Sequence, residues 1–423
     1  YGTGVDGHPA NHIHQLNPVP GAGSISGLVA DLSRTTLKAV QYPSSLQNNT
    51  SFTSPKGSGL MAIPGGDAGT NLLNRLMYSF TPRPAYAKVG SLRDRYKGYM
   101  EASQAILQNA NSSNVRQNFA STLKAFSQGI EDLDAAWAGL FGKYSKIVYQ
   151  TFKDRSAAGI SDEPIPAVDD GVSSHSQYSL MLANSNAVHP ITGFDLRDLV
   201  NNVDLTEMAQ DFALCEFILT RNLASSIELG FEQPGNLQVN YLRIFDGTRV
   251  ISFPTVQTTS MPLVFDQHST GAFPMVYLNN CFFRALAAGT AELVDQLKAA
   301  QVFDRTVLHL VSDFGRTPRP DGTGSDHGFD NMVTSLITGF NTSGPLMIGN
   351  IQAGSASAPI PGTYGFKAAT KVSGNDLILS PAHVGSSIAE LFHLARNPYA
   401  TTGQPLIQLR NGQIQSLAEA KIT

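Results

Sequence analysis

Apolar residues recur at three- and four-residue spacing through "LRDRYKGYMEASQAIL" and "VRQNFASTLKAFSQGIEDLDAAWAGLFGKYSKIVYQTF", and neither stretch contains Pro. That period predicts two long helices within residues 91–152, broken near "NANSSN". Upstream, a region rich in Gly, Pro, Ser and Asn carries short apolar runs at Ser26–Ala30, Leu37–Gln41 and Leu60–Ile63, the pattern of loops around short strands or helical turns. A polar segment from Asp154 to Asn186 follows the helices. "TGFDLRDLVNNVDLTEMAQDFALCEFILTRNLASSIELGF" then returns to helical spacing, the second helix opening near Asp204 and Thr206. After Gly230, "NLQVNYLRIF" and "TRVISFP" are rich in β-branched and aromatic residues and predict strands.

The clearest unit comes next. "PMVYLNNCFFRALAAGTAELVDQLKAAQVFD" reads as an amphipathic helix of about seven turns. A tight connection leads from it to "RTVLHLVS", a strand apolar enough to be buried on both faces. A helix feeding such a strand predicts parallel α/β architecture, in which ligands gather at the carboxyl ends of strands. "NMVTSLITGF" supplies the next strand and "PAHVGSSIAELFHLA" a late helix, with no internal repeat.

"SDFGRTPRPDGTGSDHGFDN", residues 312–331, begins where that strand ends and gathers Asp313, Arg316, Arg319, Asp321, Asp326, His327 and Asp330. Its Gly and Pro content predicts a loop, and loops on rigid sheets are where functional groups are presented. Carboxylates beside an imidazole are metal-ligand chemistry; the bland alternative is a solvated turn with Arg316 paired to a neighbour. Upstream, "PLVFDQHSTG" places Asp266 and His268 two apart in a segment expected to be extended. Both side chains then share a face and can reach one ion, unless they are a surface Asp and a satisfied His at a strand end.

Composition narrows the setting. The 423 residues are 42% hydrophobic, enough for a large core, and length alone leaves the domain count open. Charged residues are only 15%, against roughly 25% in typical soluble domains, which leans towards an exported protein. A net charge of −4 without a block of Lys or Arg argues against nucleic acid and against an anionic membrane surface. The longest apolar runs fall far short of the roughly 18 residues of a membrane span. The chain starts at Tyr1 rather than Met, as expected of a processed form or a fragment. Cys215 and Cys281 sit on apolar faces of predicted helices, as buried hydrophobes or as one disulfide.

The motif "VLHLVSDFGRTPRPDGTGSDHG" resembles the signature of a large, poorly characterised family of exported bacterial proteins in the alkaline phosphatase and sulfatase superfamily. That family shows Ser-Glu-Phe-Gly-Arg-Thr at a strand end, a Gly-rich loop, then Thr-Asp-His-Gly, with Trp-Asp-Thr-His and a "GLLDRT"-like helix end upstream. The counterparts are Ser312–Thr317, Ser325–Gly328, "FDQH" at Phe265–His268 and "QVFDRT" at Gln301–Thr306, in the same order. The resemblance extends from Pro262 to Gly339, reaches "SPAHVGSSIAELF" and "TGFDLRD", and is weak before residue 190.

The resemblance implies one alkaline-phosphatase-like α/β domain spanning residues 1–423, with a mainly parallel central sheet flanked by helices and a helical insertion at 91–152. It also implies a site in which two divalent cations (Zn, Ca, Mg or Mn) clamp the oxygens of a phosphate or sulfate ester. Asp266 and His268 would serve one metal, Asp313 the second, and His327 would close the set. Arg316 would act as the catalytic anion-binding group, with Asp326 behind the ligands. Departures exist: Asp313 is shorter than the usual Glu, Phe265 replaces Trp, and Gln267 replaces Thr. The nucleophile is unassigned. "GGDAGTN" at Gly65–Asn71 is a loose echo of the amino-terminal signature and would make Asp67 and Thr70 the missing pair, or else is a turn. His8, His12 and His14 are a metal cluster or a surface loop; His175, His189, His309, His383 and His393 are expected to be structural.

Two functions are therefore expected. One is an exported, periplasmic or cell-surface hydrolase of small anionic esters, active or degenerate. The other is a catalytically silent cell-surface or extracellular assembly subunit on the same fold, with self-assembly as its role.

Overall fold

The computed structural model describes residues 23–35, 37–43, 52–66, 68–69, 72, 101–102, 105, 135–153, 203–230, 236–239, 243–245, 250–252, 259–262, 272–311, 316–318, 325–327, 333–340, 344–353, 364–395 and 397–420. Helix α1 (Ile25–Leu32) is opened by Ser24, whose hydroxyl accepts from the Gly27 N–H. Strands β1 (Ala39–Tyr42) and β2 (Leu60–Ala62) follow, then helix α2 (residues 135–153) and helix α3 (Thr206–Thr220). Asp204 accepts from the Thr206 N–H at 2.9 Å at the start of α3, the side-chain turn that the sequence signals there. Strand β3 (Ser226–Leu229) pairs with β1, and β1 pairs with β2, both in parallel, giving the order β2-β1-β3.

β4 (Asn236–Val239) pairs antiparallel with β7 (Thr259–Pro262), and β5 (Arg243–Phe245) with β6 (Val250–Ser252). Helix α4 (Ala272–Ala299) is the long amphipathic segment, 28 residues in length. It ends without Gly: Gln301 takes the left-handed conformation (φ 57°), and the Val302 N–H reaches back to the Leu297 carbonyl at 2.9 Å. A 3₁₀ turn (Phe303–Arg305) then delivers the chain to β8 (Val307–Val311). The partner of β8 is β11 (Thr334–Thr338), and the pairing is antiparallel, Val311 opposite Thr334 and His309 opposite Leu336. Parallel pairing among the described residues is confined to β2-β1-β3.

Between β8 and β11 the chain makes a second, shorter ribbon. β9 (Arg316–Pro318) and β10 (Ser325–His327) pair antiparallel, so part of the stretch expected to be loop is strand. Three rungs need only three residues a side, and the Gly and Pro of 319–324 fall between them. Beyond β11 lie β12 (Asn350–Ala353) with β13 (Tyr364–Lys367), β14 (Ala369–Lys371) between β15 (Asp376–Leu377) and β18 (Ala418–Ala420), helix α5 (Pro381–Leu391), and the hairpin β16 (Ile407–Arg410) to β17 (Gln413–Ser416). That hairpin turns on Asn411-Gly412, both at positive φ, the sequence signature of such a turn.

The largest core joins β1, α2, α3 and α4: Tyr144, Val148 and Phe152 meet Phe212, Leu214 and Phe217, with Cys281, Leu293 and Leu297 from α4. Residues 208–218 of α3 are buried without a break, so this helix runs through the core rather than over it. No disulfide joins Cys215 and Cys281; both thiols are buried. A second core packs α1 against α5 and Tyr399. β8 stands between the two cores: Leu308 packs on the first, Val307 on the second, which is why its apolar run is continuous. Among the described residues, no helix is long and apolar enough to cross a membrane.

Candidate functional site

β8 and β11 form the stem of the candidate site, because the chain leaves at Val311 and returns at Thr334, which are register partners. Everything from 312 to 333 is therefore an excursion from one end of this pair. Within it, His327 is opposite Arg316, Asp326 opposite Thr317, and Ser325 opposite Pro318. Opposed positions in an antiparallel ribbon share a face and successive positions alternate, so 316 and 327 lie on one face and 317 and 326 on the other. The register therefore puts positions 316 and 327 opposite each other, with 326 one position along the ribbon. Asp313 lies two residues past the end of β8 and outside the described residues. Asp266 and His268, between β7 and α4, also lie outside them, as do Asp67, Thr70, His8, His12, His14, His175 and His189.

Among the described residues, no group of three or more His, Cys, Asp or Glu side chains could hold a metal ion. The stem carries a polar link that sequence reading passed over. The Thr334 hydroxyl donates to the Leu310 carbonyl at 2.8 Å, and His309 Nε2 lies 2.8 Å from Thr334 Oγ1. With the hydroxyl proton committed to the carbonyl, Nε2 must carry the proton of the second bond.

"GGDAGTN" begins two residues after β2, with Gly65 and Gly66 in a bend and residues 68–69 helical. Tyr42, the last residue of β1, places its hydroxyl 2.5 Å from the Gly66 carbonyl and 2.6 Å from Gln210 Oε1. One phenolic proton cannot serve both oxygens. Turning the Gln210 amide lets its N–H donate to the Tyr42 oxygen while Tyr42 donates to Gly66.

Further polar groups lie in or beside the cores. Lys143 from α2 bridges Glu216 of α3 (2.7 Å) and Glu292 of α4 (2.9 Å), and the Tyr144 hydroxyl donates to Glu216 at 2.6 Å. Burial, with Glu216 beside it, pushes the Tyr144 hydroxyl far above its ordinary range. Asp211 is 1% exposed, and both its oxygens are buried without a hydrogen-bond partner. Burial first, and the Glu207 charge second, push its pKa well up. Burial also raises the Cys215 thiol, which keeps it from the reactive thiolate form. His383, expected to be structural, caps α5: its Nδ1 accepts the Ser380 N–H at 3.1 Å. Burial lowers its pKa. These residues were missed because a buried carboxylate on a helix gives no local signal that separates it from an exposed one.

One protein-family model matches residues 244–362, and its description is a protein of unknown function (DUF1501). The match covers less than a third of the chain and includes both "FDQH" and the 312–331 stretch. No curated protein and no solved structure matches. The resemblance to an exported bacterial family of the alkaline phosphatase and sulfatase superfamily is corrected accordingly: the family that matches is one of unknown function, and no phosphatase or sulfatase family does. Short motifs such as Asp-His-Gly carry the chemistry of a site without carrying its superfamily.

Proposed function

We propose that the chain is an exported, metal-dependent hydrolase of phosphate or sulfate esters whose site is rimmed by the 312–330 stretch. The observation that carries this reading is the β9/β10 register, which sets Arg316 opposite His327 in the stretch that follows β8 in sequence. An imidazole is the commonest transition-metal ligand, and a guanidinium fork matches two oxygens of a tetrahedral anion. Side by side on one ribbon face they suit a substrate held between a cation and Arg316. Asp266, His268 and Asp313 complete the proposed ligand set with His327, and Asp326 supports it from the reverse face. Divalent cations would polarise the ester and lower the pKa of bound water. The proposed role of Arg316 is to bind the non-bridging oxygens and stabilise charge that grows on them. The low charge content supports export.

The test is metal analysis of the purified chain with aryl phosphate and aryl sulfate assays, repeated on His268→Ala and His327→Ala. The expected result is bound divalent metal and turnover in the parent, both reduced at least about tenfold in each variant, the lower bound seen for loss of even an outer ligand partner. A parent with neither metal nor turnover overturns the reading and leaves the silent assembly subunit.

A further inference from the structure

We infer that His309 and Thr334 form a positioning clamp that sets the geometry of the 312–333 ribbon, an inference whose functional consequence rests on the reading above. Thr334 is the first residue of β11 and the register partner of Val311, the last of β8, so its side chain acts at the root of the ribbon. His309 is opposite Leu336, two rungs further down. The His309 Nε2 to Thr334 Oγ1 bond therefore crosses the pair diagonally, and the Thr334 to Leu310 carbonyl bond closes it back onto β8.

Packing alone would not select this pair. Positions 307 and 336, on the same face of the stem, are Val and Leu and pack into the second core. β-Branched apolar residues at 309 and 334 would suit a half-buried pleat at least as well. A hydrogen bond exchanged for water stabilises little, but two in series with fixed donor and acceptor roles admit one arrangement of the strands. That arrangement fixes the end of β8 at Val311 and the start of β11 at Thr334, the two points between which residues 312–333 run. Neither His309 nor Thr334 touches substrate in this scheme; both act through the backbone.

The experiment uses the full chain as Thr334→Val, which keeps the shape and removes the hydroxyl, and as Thr334→Ser, which restores it. Hydrogen exchange of peptides spanning 312–333, binding of zinc and manganese by calorimetry, and thermal midpoint are measured together. Expected for Thr334→Val are faster exchange across the ribbon, cation affinity weaker by about tenfold or more, and a midpoint near the parent's, with Thr334→Ser returning both readouts. A Val variant with the parent's exchange and affinity, or no rescue by Ser, overturns the clamp. If the parent binds no cation, the hydrolase reading falls and the exchange data still decide the clamp. Should Thr334→Val fail to fold, His309→Phe removes the same bond from the other strand.

Discussion

Asp211 and His383 are two buried titratable groups whose surroundings act in opposite directions on pH dependence. Burial raises the Asp211 pKa well above the ordinary 3.8, so the native chain keeps a proton that the unfolded chain releases just above that value. Stability should decline as pH rises from that value towards the raised native one. Asp211→Asn removes the titration: denaturant unfolding at pH 5 and pH 8 should show the parent losing ground to the variant at the higher pH. A parent slope equal to the variant's would mean that the carboxyl is solvated or paired. For His383 the native pKa lies below 6.5, because burial penalises the charged ring and the Lys371 charge opposes a second positive charge. The stabilisation is complete above 6.5 and is lost as pH falls through the native value. His383→Gln keeps an acceptor at the third helical position of α5, in the manner of a Ser-x-x-Gln capping box. It should unfold with less acid sensitivity between pH 6.5 and pH 5 than the parent, as read by thermal midpoints.

At the scale of elements, the contact of α3 with α4 is decided by Gly289. A Cβ there would lie 2.2 Å from the Phe212 ring. Gly289→Ala gains up to about 1 kcal/mol in helix propensity, but overpacking costs about 1–3 kcal/mol, so net destabilisation is expected in denaturant titrations. The same substitution at Gly69 meets the Trp137 ring at 2.0 Å and should also disturb the fluorescence of Trp137, the chain's single Trp. Lys143 ties α2 to α3 through Glu216, whose side chain is 9% exposed, and to α4 through Glu292, while its own is 30% exposed. Lys143→Met should cost about 1–3 kcal/mol, below the range for a fully buried pair, because water still reaches the Lys end. Helix interiors were legible from their periods. Helix ends were less so: α3, α4 and α5 are followed by Asn222, Gln301 and His393 in the left-handed conformation, where Gly would have been the signal.

For the whole molecule, the register of Val311 with Thr334 means that residues 312–333 can be excised without breaking the stem. Replacing them by Asn-Gly, which supports a two-residue hairpin turn, should leave circular dichroism and thermal midpoint close to the parent's. The same protein should lose cation binding and turnover. Unfolding of this deletion would show that the ribbon supports the fold rather than a site.

Periodicity and turn chemistry in the sequence were enough to locate α4, β8, β11 and α5, the start of α3, and the density of ionisable groups after β8. Those features depend on interactions within a few residues, which a linear chain displays directly. The antiparallel pairing of β8 with β11, the rung of Arg316 with His327, the hydrogen bond of His309 with Thr334 and the raised pKa of Asp211 were decided by tertiary structure alone. Each depends on which distant segment lies alongside, and neither strand register nor the dielectric around a carboxyl is written in local spacing.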